Sequence, residues 1–436
     1  MAEVSARHFQ PKFRATISFL QAQRLGIYAL ILLPFVGEVL YGMTLYLDIS
    51  LPSGARLIRA VVSGAGLVML LRRPMKPLSL YVWLICALWI FCFGFWAATS
   101  SFLNAIPEVV ALFQLLYGFF LLVILHALTQ KNDNDELLVP AFLALTTGVS
   151  ALLIFSFVTG IGLDTYGDYT FGTKSFFSVG NGLSFLMISG LAFSCERLLR
   201  KPGTYSILTF AMHFLGCIFL GSATSILGAF LVAGIYFMVY LIFHPARSTT
   251  RMAVKAVLVI LAGSIIAYSS VMTYRFVTEY PYMIDKAERT VREGPRGKFI
   301  RYALKRFSER PFTQNMLGEG TTGLASSFAA VNPQRSFDPS ERLMIEVDPL
   351  DLYGSYGVLF AILVYVPFLL WFGWALNDWF HRPSLRGFTA TLIIFLALSL
   401  SVITGHIVFV PTSTTVTSII AAVLWARRTR LMKSPD

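Results

Sequence analysis

The residues best suited to chemistry in this 436-residue chain gather between positions 296 and 357. The stretch reads Arg296-Gly-Lys-Phe-Ile-Arg301-Tyr-Ala-Leu-Lys305-Arg306-Phe-Ser-Glu-Arg310-Pro311, then Gly318-Glu-Gly320, then Glu346-Val-Asp348-Pro-Leu-Asp351. Arginines at 296, 301 and 306 spread over a broad sector of a helix. With Lys305 and Arg310 they form a clamp for a polyanion such as a diphosphate, because a guanidinium presents paired donors to phosphate oxygens. Taken alone, the charges favour a plainer arrangement, a solvated basic face paired with Glu293 and Glu309. Glu346, Asp348 and Asp351 stand at the start of an apolar helix. There a carboxylate either caps the helix beside the positive end of its dipole or serves as a general base at the membrane surface.

Other titratable residues carry less chemistry. Cys86, Cys92, Cys195 and Cys217 all fall in apolar runs with no metal-binding spacing, so packing is the expectation. Among the six histidines, His126 and His213 read as packed residues, and His406 lies where it can reach an external site. Glu38 sits inside the first apolar run, where a charge is costly: it either marks a functional site or pairs with a neighbouring polar group. No zinc-protease, P-loop or dinucleotide fingerprint occurs.

The elements that must position these groups are transmembrane helices. The chain is 56% hydrophobic and 13% charged, with a mean hydropathy of +0.69, against about 25% charged residues in a soluble domain. That excludes a soluble enzyme, a disulfide-stapled secreted domain and a disordered chain. Apolar runs of spanning length occur near 26–47, 57–71, 79–98, 107–128, 137–161, 176–195, 205–221, 224–243, 256–273, 351–376, 388–404 and 408–426. The expected fold is an all-α, polytopic transmembrane bundle of about 12 spans. One long, partly helical outer loop joins spans nine and ten. No cleavable signal peptide is expected, since the first apolar run is long enough to span.

Orientation follows from lysine and arginine placement. With the N-terminus inside, the inner segments hold 20 of the 35 basic residues and the short outer loops hold Arg56, Arg59 and Lys174. Both termini are therefore expected in the cytoplasm. The other 12 basic residues, with 10 acidic ones, lie in the long outer loop, and long loops translocate whatever their charge. The net charge of +12 is mostly an orientation signal, and no nucleic-acid partner is expected. The divisions are a cytoplasmic tail at 1–25, membrane spans at 26–273, the outer loop at 274–350, further spans at 351–426, and a tail at 427–436. Within the loop, 285–289 and 298–310 read as helical, with a break at Gly294-Pro295, and 317–339 reads as irregular for its Gly, Ser, Thr, Asn and Pro.

The segment resembles the O-antigen polymerase and O-antigen ligase family, with the exopolysaccharide polymerases. The matching order is Arg296, a residue four positions on (Ile300), Ala303-Leu304, Pro311, Gly318-x-Gly320, and Glu346-x-Asp348 ahead of Gly357. Weaker echoes are Gly180-Asn181-Gly182 and Gly221-Ser222-Ala223-Thr224, so the resemblance spans roughly 170–375. Three positions depart from the pattern: Ile300 replaces an aromatic, Glu346 a histidine, and Ala223 a basic residue. The missing histidine is closer to a polymerase than to a ligase.

The resemblance implies a glycosyl-transfer enzyme of the bacterial inner membrane, working at its periplasmic face. It would use a glycan on a polyprenyl diphosphate as donor and a second lipid-linked glycan, a lipid A-core or a protein as acceptor. Arg296, Arg301, Lys305 and Arg306 would hold the diphosphate, and Glu346 or Asp348 would take the acceptor proton. No cofactor or metal is implied; membrane lipids, a chain-length regulator and a flippase are the implied partners. A sugar or lipid-linked-glycan transporter is the alternative from another class. The outer loop's place after span nine, and the absence of a long inner loop at the midpoint, speak against it.

Overall fold

The computed structural model describes residues 10–49, 53–72, 76–99, 105–129, 134–165, 171–177, 180–243, 295–329 and 345–433. Among these, α1 (Gln10–Tyr46), α2 (Gly54–Arg72), α3 (Lys76–Thr99) and α4 (Ala105–Thr129) are followed by a 3-10 turn (Asn134–Leu137). Then come α5 (Leu138–Thr159), α6 (Gly180–Arg200), α7 (Thr204–Phe219) and α8 (Ala223–Phe243). After the undescribed stretch follow α9 (Pro295–Glu309), α10 (Phe312–Leu317), α11 (Gly320–Ala329), α12 (Asp348–His381), α13 (Leu385–Ile403) and α14 (Pro411–Lys433). The fold is helical but for a two-stranded antiparallel ribbon, β1 (Leu163–Asp164) with β2 (Thr173–Ser175).

Nine helices among the described residues are long and apolar enough to cross a membrane, so the chain is a multi-pass helical membrane protein. Eleven of the twelve expected spans coincide with a helix; the one at 256–273 lies outside the described residues, as does the loop helix at 285–289. Two expectations shift. Arg59, counted with the short outer loops for orientation, lies inside α2 and reaches Glu38 of α1 at 2.6 Å, so the buried acid has a charged partner. The stretch from 317, expected to be irregular, contains α11. Its Gly, Ser and Thr content predicts a loop, but packing overrides propensity. Leu324, Ala325 and Phe328 bury themselves against Phe299, Ala303 and Phe307 of α9.

The centre of the bundle is α14, in which every residue from Pro411 to Leu424 is buried. That segment is rich in Thr and Ser, and its hydroxyls bond carbonyls one turn back, as Thr415 Oγ1 does to Pro411 O at 2.7 Å. Gly118 of α4 lets the two backbones approach, for a Cβ there would meet that of Thr414 at 2.9 Å. Ser418 Oγ donates to Gly118 O across the same contact at 2.7 Å.

The bundle has two chemically different ends. At one, Glu196 near the end of α6 holds Arg386 at the start of α13, and Arg427 of α14 meets Asp378 of α12 at 3.1 Å. At the other, α9, α10 and α11 form a cap over the end of α3 and the starts of α4 and α12. Trp96 Nε1 donates to Leu317 O at 3.0 Å, and Glu108 receives Thr322. Phe243 closes α8 toward the arginine-rich end, where Tyr236 meets Thr389 of α13, while Pro295 opens α9 in the cap.

Candidate functional site

The cap is built on an apolar stripe. Phe299, Ala303 and Phe307 recur every four residues on α9, so they share one face, and they pack with Ile345 and Val347 as well as with α11. The same periodicity turns Lys298, Arg301 and Lys305 to the outside, where all three are exposed. Arg296 stands in the first turn of α9.

Arg306 and Arg310 turn the other way. Arg306 Nη2 donates to Glu319 Oε2 at 2.8 Å, and Arg310 Nη2 bonds Glu319 Oε1. Arg310 is buried, gives a second bond to Gly354 O at 3.3 Å, and stacks 4.5 Å over the Phe307 ring. For Arg310, burial outweighs Glu319 and draws the guanidinium below its ordinary pKa. For Arg306, burial also opposes the charge, but the Glu319 contacts prevail and raise it. Both remain cations at neutral pH. Of the four expected diphosphate ligands, then, Arg301 and Lys305 face outward, Arg306 is shared with an internal carboxylate, and Arg296 lies on the same helix.

Glu319 sits between two glycines in left-handed conformations, Gly318 (φ 72°) and Gly320 (φ 78°). A side chain at 318 would bring Cβ to 2.3 Å from Ser355 O. Gly357, where α12 breaks (φ 81°, ψ 174°), stands in the same relation to Met316 O, at 2.2 Å. The turn before α11 and the kink of α12 interlock backbone to backbone, which no residue with a Cβ permits. On the far side Glu108, fully buried, accepts Thr322 N at 2.9 Å and Thr322 Oγ1 at 3.0 Å, fastening α11 to α4.

The three carboxylates at the start of α12 separate by role. Asp348, fully buried, accepts His406 N at 2.8 Å, Ile407 N at 2.8 Å and Val408 N at 3.0 Å. It therefore anchors the connection between α13 and α14. Asp351, also fully buried, turns back to accept Ile345 N at 3.0 Å and Val347 N at 3.3 Å. Between those two amides, Glu346 is partly exposed and holds φ 61°, a conformation that costs a non-glycine residue roughly 1–2 kcal/mol. His406 (φ 67°) lies in the facing loop, and a Cβ on its neighbour Gly405 would come within 2.6 Å of Glu346 O. Two strained residues thus sit in loops braced against each other, the pattern seen where backbone strain serves function.

Sequence reasoning singled out Glu346, Asp348 and the glycines, but not Glu319 or Glu108. For Glu319 the available signal was its place between two glycines; for Glu108 it was a carboxylate in the first turn of an apolar helix. The motif echo Gly180-Asn181-Gly182 joins the same end, with Asn181 Nδ2 donating to Thr404 O at 3.3 Å. Ser222 of the other echo shares a 2.7 Å hydrogen bond with Ser184. Among the described residues no three His, Cys, Asp or Glu side chains gather as a metal site.

These features define a multi-pass helical membrane protein with a helical cap that carries cations outside and anchored carboxylates beneath. No protein-family model and no curated protein matches the chain.

Proposed function

We propose that this chain is a glycosyl-transfer enzyme of the bacterial inner membrane that extends, or ligates, glycans carried on polyprenyl diphosphate. In this reading about twelve helices span the membrane, both termini are cytoplasmic, and the cap is periplasmic. Polymerisation is favoured over ligation because an acid, Glu346, stands where the resembling ligases carry a histidine. The observation that carries the reading is the placement of Glu346: partly exposed, in a left-handed conformation, on a ledge tied down by Asp351 and packed against the cationic helix α9.

The chemistry then follows in one displacement. Glu346 takes the proton of an acceptor hydroxyl as its oxygen bonds the anomeric carbon of the donor. The bond from that carbon to the diphosphate oxygen breaks, its electron pair leaves with the polyprenyl diphosphate, and configuration inverts. Negative charge grows on the leaving group, and the outward cations Arg301 and Lys305, with Arg296 on the same helix, stabilise it. Arg306 and Arg310 keep α9 in place through Glu319. The diphosphate provides the driving force, so no nucleotide is consumed.

The test is glycan chain length in a deletion strain complemented with wild type or with Glu346→Gln. A lost general base lowers turnover about 10²–10⁴-fold, so the variant is expected to leave single repeat units at normal protein abundance. Full-length chains from Glu346→Gln overturn the assignment. Lipid-linked units trapped on the cytoplasmic side point instead to a transporter.

A further inference from the structure

The cap site lies at one end of the bundle, yet two neighbouring cavities open at the other. They measure about 390 Å³ and 460 Å³, and both are lined by Glu136, Arg200 and Arg386. Arg197 and Lys201 line the first cavity and Arg427 the second. Arg427 is held by Asp378 at 3.1 Å, which leaves four cations, Arg197, Arg200, Lys201 and Arg386, beside two carboxylates, Glu136 and Glu196. Glu196 is almost fully buried and is already engaged, by Arg386 Nε at 2.7 and 2.9 Å and by Arg200 Nη1 at 3.1 Å.

That leaves positive charge facing the cavity. Both bonds from Arg386 to Glu196 use Nε, so its terminal nitrogens are not the ones that hold the acid. Arg197 Nε is buried with no hydrogen-bond partner among the described residues, and its guanidinium rests 4.3 Å over the Tyr205 ring. Guanidinium groups crowded in this way repel one another until an anion comes between them, and phosphate matches their paired donors.

The rest of the first cavity's lining is apolar. Val139, Pro140, Leu143 and Phe193 form the wall beside the cations, and the neighbouring surface of α7 is apolar and exposed at Ile207 and Leu208. A cavity that is cationic on one side and greasy on the other fits an amphiphile rather than a free ion. It also lies at helix ends, where lipid headgroups meet a spanning bundle.

We propose that this cleft between α5, α6, α13 and α14 binds an anionic phospholipid. Its phosphate is held by Arg197, Arg200, Lys201 and Arg386, and the start of its chains lies against Val139, Pro140 and Leu143. The site is separate from the cap, and its occupancy does not depend on what reaction the cap performs.

The experiment uses the full chain purified in detergent, with binding read by native mass spectrometry and thermal unfolding. The probes are phosphatidylglycerol, phosphatidylcholine of the same chain length, and inorganic phosphate at matched ionic strength. Phosphatidylglycerol is expected to bind and raise the unfolding temperature, and the other two are not. Arg197→Gln with Lys201→Gln leaves the Glu196 pairs in place and is expected to weaken phosphatidylglycerol at least about tenfold, the equivalent of one charge-assisted hydrogen bond. Arg200→Gln, at a half-exposed position, is expected to weaken it in the same way while Arg386 still holds Glu196. Equal binding of the two lipids, inorganic phosphate as effective as phosphatidylglycerol, or wild-type affinity in both variants would overturn the proposal.

Discussion

Asp348→Asn tests whether the buried carboxylate is an anchor. Asp348 Oδ1 accepts one backbone amide and Oδ2 accepts two. An asparagine has one acceptor oxygen, so its better orientation keeps the two bonds at the Oδ2 position and turns an NH2 toward the amide of His406. One buried donor is orphaned, at about 1–3 kcal/mol, and two bonds lose their charge assistance, at roughly half their strength. The expected loss is about 2–4 kcal/mol. Asp348→Ala orphans all three amides, a loss comparable to the roughly 5–15 kcal/mol that holds an ordinary domain together, so little folded protein should accumulate. The assay is equilibrium unfolding in mixed micelles, with Glu346→Gln as the control two residues away. An Asp348→Asn value within about 0.5 kcal/mol of wild type, the range of an ordinary surface change, would refute the anchor and return Asp348 to consideration as the base.

Two further substitutions probe the cap. Glu319→Gln removes the charge that faces both Arg306 and Arg310; because the Arg310 side chain is only 3% exposed, the loss should reach about 3–5 kcal/mol and appear as early proteolysis within α9–α11. Cleavage no faster than in wild type would show that the pair does not hold the cap. At position 346, glycine should be more stable than alanine by about 1–2 kcal/mol, since only alanine suffers the left-handed strain, while both abolish transfer. A glycine variant no more stable than the alanine one would remove strain from the account.

The spans were legible from their apolar runs, whether the helix faces lipid or is enclosed by protein. Hydropathy finds the apolar runs of α1, α3 and α12, and equally that of α4, which is mostly enclosed by protein. The run at 408–426 was legible too, but the central place of α14 was hidden: Thr412, Ser413, Thr414, Thr415, Thr417 and Ser418 dilute its apolar content, yet every residue from Pro411 to Leu424 is buried. Its hydroxyls need no water because the preceding turn accepts them. Helix α11 was hidden for a related reason. Gly320, Thr321, Thr322 and Gly323 have poor helical propensity, and what holds them is distant in sequence: Glu108 on α4 and the aromatic face of α9. The glycines at 318, 320 and 357 were legible as a pattern, but their meaning was not. Only the backbone approach of Gly318 to Ser355, and of Gly357 to Met316, shows why no side chain fits.

The acids at 346, 348 and 351 pose the sharpest question of reading, since spacing treats them alike. A carboxylate serves as a base only if an acceptor hydroxyl can reach one of its oxygens. Asp348 and Asp351 are fully buried and spend their oxygens on five backbone amides between them. They do for the backbone what buried polar groups must do, and in doing so they fix the two loops that border Glu346. Asp351 gathers the amides on either side of it, and Asp348 ties down His406 across the gap. On the proposed function, removing either aspartate lowers activity without either being the base, so a loss of function at these positions does not by itself identify the catalytic base. The variant that separates the roles is the one that lowers turnover and leaves unfolding unchanged, and position 346 is where the geometry allows it.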